Sequence, residues 1–165
     1  MATLQQTDVA ADAAAQAISE VNGTNQFVTF TCGRRAFGID VMSVREIRSW
    51  TPTTPMPNQP HGAQGVLDIR GKIVEVFDLA TLLGTEVNEE QQGKVVLVVS
   101  MGDHDLGITV DAVSDIIFAG RGQVRPAPTI NAAGAAAVTA LVKVDERLIA
   151  VLNLESLFPT YASHN

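Results

Sequence analysis

Clustered positive charge is missing from this chain. Its 11 Lys and Arg stand against 18 Asp and Glu, for a net charge of −7. The longest basic run is Arg34-Arg35. Phosphate neutralisation needs clustered cations, so nucleic-acid binding is excluded. Aromatic residues make up 5% of the chain, too few for a base-stacking platform. Cys32 is the single cysteine, which rules out an internal disulfide and points to a reducing compartment. No apolar run reaches the ~18–20 residues of a membrane-spanning helix. No Lys or Arg precedes Arg34, which argues against a secretory signal or an Arg-rich transit peptide. A soluble cytoplasmic protein is the resulting expectation.

Catalytic patterns are also missing. His61, His104 and His164 are not at metal-ligand spacing with one another or with Cys32. Asp103-His104-Asp105 is too short for a calcium loop and reads as a hairpin tip. There is no phosphate-binding glycine loop before a helix and no G-x-S-x-G elbow. Cys32 has no histidine near it in sequence and reads as a packed or surface thiol. Nothing here supports an enzyme, a metal site or a cofactor.

What the chain does have is apolar residues, 46% of 165, with only 18% charged. That is enough for one domain, or for two small ones sharing a core. A surface poor in charge tends to carry apolar patches, which suits protein partners.

Residues 1–24 are Ala-rich, lack an apolar stripe and read as a tail with at most one helical stretch. From Gln26 the pattern is of short strands. Residues 27–31 and 36–39 flank the connection Cys32-Gly33-Arg34-Arg35. Val41, Val44 and Ile47 suggest a helical turn leading into another extended piece. Residues 51–60 hold four prolines and cannot be a central strand. Residues 65–69 and 73–77 are strands around Arg70-Gly71-Lys72, and 79–83 is a helical turn closed by Gly84. The second half offers strands at 95–100, 106–110, 140–144 and 148–152. It also has a low-complexity loop at 131–138 and a helical turn at 154–158.

The second half repeats the first. Residues 37–47 align with 106–116, pairing Gly38 with Gly107 and Glu46 with Asp115. Residues 73–79 align with 148–154. A register of about 70 residues used twice predicts two similar small β units rather than a solenoid. Small antiparallel units close into barrels to remove their edges, and ~65 residues alone are marginal. The two units are therefore expected to share an apolar face, with a binding groove between them.

Two clusters then stand out. One is Val44-Arg45-Glu46-Ile47-Arg48-Ser49-Trp50, ending in the single tryptophan. The other is Gly65-Val66-Leu67-Asp68-Ile69-Arg70-Gly71-Lys72, where Arg70 and Lys72 have Glu46 or Glu75 as candidate partners. Exposed ion pairs contribute only about 0–1 kcal/mol, so stability alone is a weak reason for them. An arginine in a turn beside aliphatics also suits an interface anchor.

These residues, in order and spacing, resemble the CheW family. The resemblance runs from about residue 26 to 158. It includes Gly38-Ile39-Asp40-Val41, Val44-Arg45-Glu46-Ile47, the run from Gly65 to Leu79, and Gly107-Ile108-Thr109-Val110 followed by Arg125-Pro126-Ala127-Pro128. The chain departs from the family's usual Asn-Leu-Arg-Gly by having Asp68-Ile69-Arg70-Gly71, and it has Glu75 where proline is common. The resemblance implies a mainly β fold of two SH3-like five-stranded barrels packed together, with a few short helices. It places them at residues 25–90 and 91–160 after the tail at 1–24, with a short tail at 161–165. It implies a non-enzymatic chemotaxis adaptor without cofactors, coupling the histidine kinase CheA to chemoreceptor tips. A CheW-like adaptor of another receptor–kinase system is the alternative. Val41, Val44, Gly65, Val96 and Gly107 would lie on or near the receptor groove. Glu46, Arg70 and Gly71 would lie at the contact with the kinase regulatory domain, with Glu46 and Arg70 paired. The protein would be cytoplasmic and associated with membrane-bound receptor arrays.

Overall fold

The structure, a computed structural model, describes residues 26–127 and 137–159. The expected tails and most of the expected 131–138 loop lie outside the described residues.

Local chemistry sets the hairpins. β1 (Gln26–Cys32) and β2 (Arg35–Asp40) join through Gly33 and Arg34, at φ 59° and 67°. β4 (Ala63–Ile69) and β5 (Lys72–Asp78) join through Arg70 and Gly71, at φ 56° and 85°. Two consecutive positive φ values make the tight turn whose twist matches that of the flanking strands. A 3-10 turn (Val41–Ser43) leads from β2 into β3 (Val44–Ser49). The remaining strands are β6 (Val95–Met101), β7 (His104–Val110), β8 (Ala112–Phe118), β9 (Val124–Pro126), β10 (Val138–Val144) and β11 (Arg147–Leu152).

Two short helices sit at equivalent points of the repeat. α1 (Leu79–Leu83) follows β5, and Asp78 Oδ2 accepts from the Thr81 backbone N at 3.1 Å and from Thr81 Oγ1 at 2.6 Å. Gly84 ends it in the left-handed conformation. α2 (Leu154–Leu157) follows β11 and is capped by Asn153, whose Oδ1 accepts from the Glu155 N at 2.8 Å. Both caps satisfy amide donors that a helix start leaves open.

The strands form two sheets, in the orders β8-β1-β2-β11-β10-β9 and β3-β6-β7-β5-β4. Sheet membership does not follow the division at residue 90. Each half of the repeat lends its first hairpin to the sheet built on the other half. The links are two parallel pairs, Val151 with Gly38 and Val76 with Gly107, and two antiparallel ones, Thr29 with Asp115 and Glu46 with Val98. These are the same positions of the repeat. Local hairpin signals cannot report such long-range pairing, because no turn joins the paired strands.

Each sheet curls around its own apolar cluster. One holds Phe27, Ile117, Val142, Ile149 and Val151, the other Ile69, Val74, Val96 and Val98 with Trp50 and Leu67 against them. The largest cluster lies between the sheets. Val28, Phe30, Phe37 and Ile39 meet Phe77, Leu97, Leu106 and Ile108 there, closed at one end by Leu79, Leu154 and Phe158. Phe77 and Phe158 make an edge contact at 5.0 Å.

Cys32 is buried in this seam. Burial, reinforced by the nearby Asp111 and Asp78 carboxylates, pushes its thiol up from 9.0 to about 12. A neutral thiol is a poor nucleophile, so thiol reagents at pH 8 are expected to label Cys32 only on unfolding. The unfolded chain loses this proton near pH 9 and the folded one near 12, so this group's contribution to stability falls as pH rises between those values. Denaturation midpoints of the Cys32→Ala variant and the parent at pH 8 and pH 10.5 check this. The parent should lose more stability over that interval than the variant.

Candidate functional site

A charged surface forms where β3 meets the β4–β5 turn. Glu46, midway along β3, reaches two arginines: Arg48 Nη1 at 3.1 Å from its Oε2 and Arg70 Nε at 3.6 Å from its Oε1. The expected Glu46–Arg70 pair is therefore present. Asp68 Oδ1 accepts from the Gly71 backbone N at 2.9 Å and fixes the turn that presents Arg70. Asp68 thus braces the turn directly. Lys72 pairs with Asp105 at 3.5 Å, and Arg45 approaches the same carboxylate at 3.5 Å. Lys72 thus has an ion-pair partner on β7, Asp105.

The alternation along β3 is inverted relative to an ordinary edge strand. Glu46 and Arg48 are half-buried, whereas Ile47 is 48% exposed. On β5, Ile73 is 67% exposed. Four cations therefore surround two carboxylates beside outward-facing isoleucines, on a chain whose overall charge is negative. Exposed aliphatics rimmed by polar groups mark an interaction surface.

The other expected set divides in two. Val41 and Val44 are half-exposed and rest on the seam between the sheets. Gly65 and Gly107 are buried and Val96 is fully buried. These three lie beneath the surface. A Cβ on Gly107 would meet Val76 Cγ2 and Val96 Cγ1 at 3.1 Å each. A Cβ on Gly65, at φ +132°, would lie 2.5 Å from the Thr54 carbonyl oxygen. Thr54 belongs to the proline-bearing strap, which bridges to Val66 through a backbone pair of 3.0 and 2.9 Å. Gly65 thus lets the strap lie against β4.

The strand register connects the two sets. Gly65 opposes Val76, Val76 opposes Gly107, Gly107 opposes Val98, and Val98 opposes Glu46. These five residues form one row across the sheet, with a bulge beside each end, at Ala63/Gly65 and at Val44/Glu46. Bulges re-aim the side chains next to them. Sequence reasoning missed Val98, and also the buried pair of Lys94 with Asp78 at 3.9 Å. Lys94 Nζ also donates to the Asn88 carbonyl, fastening the 85–93 loop to the sheet. The usable signal was the alignment of Asp78 with Asn153, which marks both as helix caps.

An open cleft of about 400 Å³ lies beside α1, lined by residues including Gln64, Asp78, Thr81 and Gln91. Among the described residues no group of three metal-capable side chains occurs, and no helix is long and apolar enough to cross a membrane.

Two curled sheets with a shared seam, bearing exposed contact surfaces, define a docking module. The CheW-like domain model matches residues 26–161, so the chain belongs to the CheW family of chemotaxis scaffold proteins. It is 33% identical over 140 residues to the chemotaxis protein CheW of Rhizobium meliloti, covering 84% of this chain and 90% of that one. It is 34% identical over 133 residues to the CheW of Klebsiella aerogenes, covering 80% of each. Its fold matches the crystal structure of a CheW scaffolding protein from Thermoanaerobacter tengcongensis. That match has a TM-score of 0.74 and 26% identity, covering 81% of this chain and 87% of that one.

Proposed function

We propose that this chain is a cytoplasmic, non-enzymatic adaptor that joins the regulatory domain of the kinase CheA to chemoreceptor tips. The observation that carries this reading is the inverted β3 with its Glu46–Arg70 pair, in a chain matched to the CheW family over residues 26–161. The kinase contact is assigned to Glu46, Arg70 and Gly71. The receptor contact is assigned to Val41 and Val44, on a wall shaped by Gly65, Val96 and Gly107. A receptor helix needs an aliphatic wall to receive anchors at i, i+3 and i+4. Half-exposed valines over a packed seam fit that need. The domain limits, about 25–90 and 91–160 in sequence, are kept for the repeat units, each sheet drawing strands from both.

Arg70→Glu is expected to weaken binding of the CheA regulatory domain by about tenfold or more, because it sets a second carboxylate against Glu46 and reverses the charge met by the partner. Binding of a receptor-tip fragment should be unchanged, and circular dichroism should show a folded protein. Loss of the folded spectrum would instead make Arg70 structural. Failure of the unmodified chain to bind either partner would favour an adaptor of a different receptor–kinase system.

A further inference from the structure

The two sheets carry equivalent transverse rows that differ at a decisive position. In the six-stranded sheet the row runs Ala140, Val151, Gly38, Thr29, Asp115. Thr29 Oγ1 lies within hydrogen-bond distance of Asp115 Oδ1 and at 3.0 Å from the Asp115 carbonyl oxygen. It also accepts from the Asp115 backbone N at 3.1 Å. The acidic residue at that end is tied to its own sheet. In the five-stranded sheet Val98 occupies the place of Thr29, and Glu46 that of Asp115. Valine has nearly the shape of threonine but no hydroxyl. Val98 is 3% exposed, directly opposite Glu46, and offers it no donor. The Glu46 carboxylate reaches Arg48 and Arg70 instead.

We propose that Val98 is a positioning residue for the Arg70 surface: by withholding a donor it keeps the Glu46 carboxylate turned toward Arg70 and Arg48. This rests on the reading of that surface as the kinase contact. At the other end of the duplicated fold Asp145 and Ile117 take the places of Arg70 and Arg48, and Asp115 is held by Thr29 instead. A hydroxyl at position 98 would capture Glu46 as Thr29 captures Asp115 and release Arg70.

Val98→Thr and Val98→Ala separate the hydroxyl from packing. On the free chain, the arginine Nε–Hε signals are recorded by NMR. Arg70 should move toward the position of an unpaired arginine in Val98→Thr and stay in place in Val98→Ala. In titrations with the CheA regulatory domain, Val98→Thr should lose about 2- to 5-fold in affinity, the fold-change that an exposed pair is worth. Val98→Ala should keep the parent's affinity although it loses packing. Both should bind the receptor tip as the parent does. An unmoved Arg70 signal in Val98→Thr overturns the proposal. So does parental kinase affinity in Val98→Thr, or an equal loss in Val98→Ala, which would make the residue's role one of packing. If the unmodified chain fails to bind the kinase domain, the functional reading falls, and the Arg70 signal alone decides whether Val98 controls the pairing.

Discussion

Lys94→Met is expected to destabilise the fold by about 3 kcal/mol, the low end of the cost of breaking a buried ion pair. Its side chain is 4% exposed, and Asp78, its partner, is 8% exposed. Removing the ammonium leaves a carboxylate out of water with only its Thr81 bonds, and it also unfastens the Asn88 carbonyl. Urea unfolding should show a lower midpoint with a similar slope. The double variant Asp78→Asn/Lys94→Met should recover part of the loss, because the uncompensated charge is gone. A loss below about 1 kcal/mol in the single variant would mean that solvent relaxation already screens the pair. The expected consequence beyond stability is local: the 85–93 loop should exchange its amide hydrogens faster, while the seam between the sheets keeps its protection.

Gly65→Ala is expected to cost about 1–3 kcal/mol as backbone strain alone, since φ +132° is a conformation that only glycine adopts freely. The contact adds to this. The new Cβ would lie 2.5 Å from the Thr54 carbonyl oxygen, and a backbone atom cannot swing aside as a side-chain tip can. The strap must therefore lift from β4, breaking the Thr54–Val66 bridge. A marked loss of receptor-tip binding is expected with kinase binding retained, because Arg70 and its turn lie at the far end of β4 from Gly65. Equal loss of both would show general unfolding. Retention of both would show that the strap's seat does not shape the receptor wall. Gly107 differs in kind. Its φ is ordinary, and the obstacle is the pair of valine methyls at 3.1 Å, so a larger residue there acts by overpacking.

Much of this architecture was legible because its signals are local. Gly33-Arg34 and Arg70-Gly71 announce tight turns between β-branched runs, and both turns form as read. Gly84 ends α1 as a left-handed cap should. The repeat was visible in Gly38 against Gly107 and Glu46 against Asp115, and the structure places each pair at the same point of its sheet. The exchange of hairpins between halves was not legible. It depends on the parallel pairings of β2 with β11 and β5 with β7, which join segments far apart in sequence with no turn to mark them. The candidate site followed the same rule. Charge and turn position left Arg70 with Glu46 or Glu75 as partners; the family resemblance implied Glu46, and that pair is present. The burial of Gly65, Val96 and Gly107 could not, because a glycine or valine in a strand looks alike on either face of a sheet until the register is known. Lys72 went to Asp105 for the same reason: β7 lies beside β5 only through a parallel pair.

The proposed role requires one small chain to hold two partners at once. The most direct measurement immobilises a receptor-tip fragment and passes the CheA regulatory domain over it, with and without this chain. The kinase domain should be retained only when the chain is present, and retention should fall with Arg70→Glu while the chain itself stays on the tip. Equal capture of the kinase domain with and without the chain, or displacement of the chain from the tip by the kinase domain, would contradict it.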